Sequence, residues 1–149
     1  MGAPDDLLYE YAVIRYVPRV DREEFVNIGL IMMNKRHKWL HSLVLFDEAR
    51  LRALYPGADI ECLKHQSRIF EMKDIPAKNI PVEERYRWLS AVKSACIQVS
   101  PSHPGLLVSS HSDFTDSGNI PFNKKEGEDI DISSLMSLEF NRLFSQLIL

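Results

Sequence analysis

The sequence predicts an α+β domain: an antiparallel sheet that starts with a three-stranded meander, packed with three to four helices. Three observations predict it. Runs rich in Tyr, Val and Ile crowd the first third of the chain and are separated by short polar links. Runs with helical spacing fill the middle and the C-terminal end. The strand–helix–strand alternation of a doubly wound fold is absent, as are G-x-G-x-x-G and the phosphate-loop signature.

Taken in order, "YEYAVIRYV" (9–17) reads as a strand that Pro18 stops. "EFVNIGLIMMN" (24–34) is the second strand and "WLHSLVLF" (39–46) the third, after the polar link "KRHK". "DEARLRALYPG" has Asp47 as a cap, Leu51 and Leu54 on one face and Pro56-Gly57 as a stop. "DIECLKHQSRIFEM" sets Ile60, Leu63 and Ile69-Phe70 at helical intervals. "PVEERYRWLSAVKSACIQV" opens on Pro81 and acidic residues, which favour a helix start. Its stripe is Tyr86, Leu89, Val92 and Ala95-Cys96, and its end alternates as a strand does. "GLLVSSH" is a further short strand. A closing helix is predicted over "SSLMSLEFNRLFSQLIL", capped by Ser133 or Ser134, with Leu135, Leu138, Leu143 and Leu147 on one side. The chain of 149 residues reads as one domain, with a flexible Ser-, Asp- and Gly-rich loop at 109–131.

Composition narrows the function classes. Hydrophobic content of 45% and charged content of 26% are those of a soluble globular protein. A net charge of −3 argues against a general nucleic-acid binder, which needs basic surface against phosphates. No stretch approaches the ~20 apolar residues that span a bilayer. The start "MGAPDDLLYE" lacks a basic region and a long apolar run, and Asp6 stands where a myristoylation motif has Ser or Thr. These features, with Cys62 and Cys96 read as reduced, mostly buried thiols, predict a cytoplasmic protein.

The first hairpin is the least ordinary stretch. A loop centred on Asp21 pairs Val17 with Phe25, Arg15 with Asn27, Val13 with Gly29 and Tyr11 with Ile31. Strand alternation then puts Arg15 and Asn27 side by side on the face of Tyr11, Phe25 and Ile31. The opposite face carries Ala12, Ile14, Tyr16, Val26, Ile28 and Leu30, and is the better candidate for the helix-covered core. Gly29 in mid-strand suggests a bulge or a close approach by another group, here a gap beside Val13. Arg15, Asn27 and that gap would form a polar notch suited to a planar anion. The candidate ligand or partner residues are therefore Arg15, Arg22, Glu23, Asn27 and Gly29. The competing reading is a well-made hairpin, with Arg19 and Asp21 as solvated turn residues and Asn27 bonded to backbone.

"YEYAVIRYVPRVDREEFVNIGLIM" resembles the opening of a bacterial domain of unknown function, family 3037, at Arg15, Tyr16, Val17, Pro18, Arg22, Glu23 or Glu24, Asn27 and Gly29. "IQVSP" (97–101) and "LEFNRLFSQLIL" are similar to later features of the family. The resemblance implies a bacterial origin and a kinase-like partner of toxin–antitoxin type. It implies no activity, substrate or catalytic residue.

The remaining features are weaker. The five histidines show no H-x-x-x-H or H-E-x-x-H spacing, so no metal is expected, and no cofactor is implied. Ser100 lies near His103 but outside any nucleophile elbow. "NKRHK" (34–38) is the densest basic patch. The leading expectation is a non-catalytic accessory protein that acts on a protein partner. The alternative is a small enzyme or ligand-binding domain holding an anion with Arg15, Arg22 and Asn27, with Glu23 or Glu24 as base. A third is nucleic-acid binding through Arg19, Arg22, Lys35, Arg36 and Lys38. Oligomeric state is not legible in the sequence.

Overall fold

The structure is a computed structural model that describes residues 7–71, 80–91, 94, 96–107 and 131–149. Strands β1 (Leu8–Tyr16), β2 (Val26–Asn34) and β3 (Trp39–Val44) form the expected antiparallel meander. The free edge of β1 is shared by β4 (Ile97–Val99), which pairs Ile14–Tyr16, and β5 (His103–Leu106), which pairs Leu8–Tyr11. The join between them is made by Ser100. Its backbone N–H donates to the Val13 carbonyl at 2.9 Å, and its hydroxyl accepts from the Val13 N–H at 2.9 Å. The hydroxyl replaces a ladder carbonyl, so Ser100 is a buried sheet residue that lets the edge strand kink at Pro101.

Among the described residues, four helices complete the α+β fold. Helices α1 (Glu48–Leu54) and α2 (Ile60–Gln66) are capped by Asp47 and Asp59, which accept from the N–H groups of Arg50 and Cys62. A 3-10 turn, Ser67–Glu71, continues α2. Helix α3 (Val82–Ser90) follows Pro81. Helix α4 (Ile132–Leu147) is capped by Asp131, and not by Ser133 or Ser134 as the spacing predicts. Asp131 accepts from both the N–H and the hydroxyl of Ser134, so the serine braces the cap. The buried side of α4 is Ile132, Met136, Glu139, Phe140, Leu143 and Phe144, while Leu138 is 66% exposed. Of the predicted stripe, Leu143 is buried and Leu135 and Leu147 pack against the same core, so only Leu138 is misplaced. The predicted loop 109–131 and the positions Val92 and Ala95 of the predicted α3 stripe lie outside the described residues, apart from Asp131.

The sheet is covered on both faces, not on one. Ile14, Tyr16, Ile28, Ile31 and Met33 face the core built with Leu51, Leu63, Phe70, Tyr86 and Leu89 of the α1–α3 layer. Tyr9, Val13, Leu30 and Met32 face α4. Ile31 and Leu30 thus exchange the faces that strict alternation assigns them. The cause is a register shift between Ile14 and Arg15: Arg15 pairs with Asn27 and Tyr16 with Val26, but Ile14 pairs with Gly29 and Val13 with Leu30. One extra residue in β2, Ile28, turns every later side chain over.

Candidate functional site

Two places deserve a chemical reading: the predicted hairpin cluster and a cleft at the other end of the sheet. In the hairpin, Arg15 and Asn27 are cross-strand neighbours, as expected. The Arg15 guanidinium lies over the Phe25 ring, 4.2 Å from its centroid. Asn27 Nδ2 donates to the Leu147 carbonyl at 3.1 Å, and Arg50 donates to the Ile148 carbonyl. These bonds satisfy carbonyls that the last turn of α4 leaves open and tie that end to β2 and α1. Arg15 Nε and Asn27 Oδ1 are buried and have no hydrogen-bond partner among the described residues.

The other predicted site residues do not join this pair. Arg22 is exposed beyond Pro18, with Nε 3.0 Å from Glu24 Oε1. Glu23 is exposed and has φ 54, a left-handed turn conformation. Gly29 faces no open notch, and the gap beside Val13 does not exist. It pairs with Ile14, and a Cβ there would stand 2.6 Å from the Leu43 carbonyl oxygen and 3.0 Å from Ile14 Cδ1. The basic residues of the nucleic-acid reading are likewise divided. Arg19 is paired with Asp21 at 2.6 Å and Arg22 with Glu24, whereas Lys35, Arg36 and Lys38 sit in the β2–β3 turn. Nine-residue β2 separates the two groups by roughly 26 Å.

Replacing Asn27 by Ala is expected to cost about 1–2 kcal/mol, because it strips a carbonyl at a packed helix end of its donor. Urea denaturation measures it. An unchanged midpoint would show that Asn27 does not clamp α4.

The cleft was not anticipated. After the bulge, Met33 and Lys35 share a face with Leu8 and Glu10, and Pro104 and Leu106 stand opposite Glu10 and Leu8 on β5. This is the α1–α3 face, at the end of the sheet remote from Tyr16. Two confluent hollows open there, about 640 and 490 Å³, sharing Glu10, Met33, Lys35 and Ser102. The first reaches Leu8, Arg36 and Pro104. The second reaches Glu83, Tyr86 and Arg87 of α3.

Hydrogen bonding orders the junction. Ser102 Oγ donates to Glu10 Oε1 at 2.9 Å and lies 2.7 Å from Tyr86 Oη. Because the single serine proton goes to the carboxylate, the tyrosine must be the donor to Ser102. Burial pushes the Tyr86 phenol up to about 12, so it remains a proton donor at neutral pH. The chain Tyr86–Ser102–Glu10 therefore holds the carboxylate at one oxygen, and the other oxygen has no partner among the described residues. Ser102 reaches this position because the edge strand kinks beside Ser100. A signal for Glu10 was present in the sequence: it is the charged residue in line with Ala12, Ile14 and Tyr16 on the core face of β1. Ser102 and Tyr86 carried no such signal, since their meeting is tertiary.

A buried polar group on the α4 face has a different character. Tyr9 donates to Glu139, and Arg142 Nε and Nη2 donate to the same carboxylate at 2.9 and 2.6 Å. Burial, then the bond to Glu139, raises the Tyr9 pKa. This trio pins α4 across β1. The two thiols are free but not mostly buried as expected: Cys62 is exposed on α2 and Cys96 half-buried, and they flank Gln66, whose amide lies 3.2 Å from each sulfur. Among the described residues no three His, Cys, Asp or Glu side chains gather to hold a metal, and no helix is long and apolar enough to cross a membrane.

The sequence model of one family, described as a protein of unknown function (DUF3037), matches residues 11–116. The chain belongs to the DUF3037 family. The matched range contains β2, β3, β4, β5, α1–α3 and most of β1; it takes in Met33, Lys35, Arg36, Tyr86, Ser102 and Pro104 of the cleft and leaves out Leu8, Tyr9 and Glu10. It stops before α4, which carries the "LEFNRLFSQLIL" stretch. No curated protein and no solved structure matches this DUF3037 chain.

Proposed function

We propose that this DUF3037 protein is a non-catalytic accessory domain that engages a protein partner through the Glu10 cleft. The observation that carries this reading is the composition of that face. An apolar floor of Leu8, Met33 and Pro104 is rimmed by Glu10 on one side and Lys35 and Arg36 on the other. Leu8 is 46% exposed and its cross-strand partner Leu106 is 40% exposed, so the floor continues to the sheet edge. An apolar centre with charges of both signs at its border suits a polypeptide surface better than a phosphate backbone. The partner class to test first is the kinase-like one that the family resemblance implies.

The test is cross-linking and co-purification of the tagged chain from its native host. One protein should be recovered at near-equal amount, lost on Leu8→Asp and retained on Leu138→Asp, which lies on the exposed side of α4. A chain that runs alone, or a Leu8→Asp variant that keeps its partner, overturns the reading.

A second reading, a small ligand at Arg15, is supported by the unpartnered Arg15 Nε and Asn27 Oδ1. The carbonyl-type acceptor beside the guanidinium repels an anion, so the pair suits a hydroxyl or amide group better than a phosphate.

A further inference from the structure

We infer that Glu10 is a receptor for a cationic side chain of the partner, a lysine ammonium or an arginine guanidinium, with its alkyl stem on the cleft floor. This deepens the proposed function and rests on the cleft being the partner-binding face.

The direction of the carboxylate is set from within the cleft. Ser102 holds one oxygen and Tyr86 holds Ser102. Among the described residues the other oxygen takes part in no hydrogen bond and no ion pair reaches Glu10. Lys35 is exposed and has no orienting partner among the described residues. A group already oriented loses less freedom on binding than a mobile one, so the fixed carboxylate sets the ligand's sign.

The surround gives the second half of the argument. Glu10 lies between Pro104 on β5 and Met33 on β2, with Leu8 two residues along the same face. Neighbouring strands are about 4.8 Å apart, so the carboxylate has an apolar border on three sides. A bare anion or a short polar ligand leaves that border wet. A lysine or arginine covers it with methylenes while its head meets the carboxylate. Lys35, just past the end of β2 on the rim of the same cleft, then suits an acidic residue next to the cation in the partner chain.

Two capped tripeptides test this against the 15N-labelled full chain: acetyl-Leu-Lys-Asp-amide and its norleucine counterpart. The lysine peptide should shift the amide resonances of Leu8–Tyr11 and His103–Leu106 and bind about five-fold tighter than the norleucine peptide. Glu10→Gln should remove the discrimination. Ser102→Ala should weaken it, because the carboxylate then loses its orienting donor. Equal binding of the two peptides, binding of neither, or inorganic phosphate shifting the same resonances in both wild type and Glu10→Gln overturns the inference. Failure here is separable from failure of the partner reading. If Glu10→Gln keeps the partner while Leu8→Asp loses it, the cleft binds a partner without a cation at Glu10. If Leu8→Asp also keeps the partner, the cleft reading itself falls.

Discussion

Truncating Phe140 to Ala is expected to cost about 3–5 kcal/mol, the largest effect of any single change considered. The ring is 1% exposed at the centre of the α4 layer. It stacks on Phe144 with centroids 5.9 Å apart and meets His41 edge-on at 4.7 Å and Trp39 at 6.5 Å. Removing it takes away the area buried between α4 and the sheet, and the aromatic geometry as well. Helix α4 has 16 residues, a length only marginally stable alone, so it depends on this docking. The measurement is urea denaturation with Leu138→Ala, on the exposed side, as the control expected within about 0.5 kcal/mol of wild type. A Phe140→Ala cost no larger than the control's would mean that α4 is not held by this core. The expected loss is a large fraction of the roughly 5–15 kcal/mol that holds a domain of this kind together.

Gly29→Ala is expected to lose about 3 kcal/mol, at the upper end of what one methyl forced into a packed core costs. The usual argument for glycine, freedom at positive φ, does not apply here. The constraint is space: the new carbon would meet a backbone oxygen of β3 at 2.6 Å, and Val44 Cγ2 at 3.1 Å on the paired residue. A side chain can swing aside, but a carbonyl inside a ladder moves only with its strand. The bulge beside Gly29 adds to this, because it sets the register of β2. Thermal unfolding of Gly29→Ala measures the cost, and amide exchange in β3 reports where it falls. A neutral substitution would mean that the β2–β3 spacing is slack and that Gly29 is retained for another reason.

The candidate site was only partly legible, and the residues show why. Arg15 opposite Asn27 follows from loop length and a period of two, and both hold up to the turn. The partner of Asn27 is Leu147, 120 positions away. No local pattern says that the C-terminal end of the chain will arrive there. Gly29 did mark a bulge and a close approach, but the approaching group is the Leu43 carbonyl of β3 and no gap opens beside Val13, because the glycine says nothing of which neighbour fills its space. The Glu10 cleft was half legible: a carboxylate on the apolar face of β1 was visible, but the hydroxyls that hold it come from α3 and the kinked edge.

By itself the sequence determined the α+β class, the three-stranded meander, the cap at Asp47 and the pairing of Arg15 with Asn27, since each depends on neighbours a few residues apart. Membership of the DUF3037 family rests on the same kind of information. Tertiary structure alone decided which face each residue of β2 presents beyond the bulge and which end of the sheet stays open. Those are outcomes of competition among apolar faces for a limited covering layer. The helices of one layer cover the Tyr16 end and leave Glu10, Leu8 and Lys35 in a cleft, a result that no stretch of the chain specifies locally.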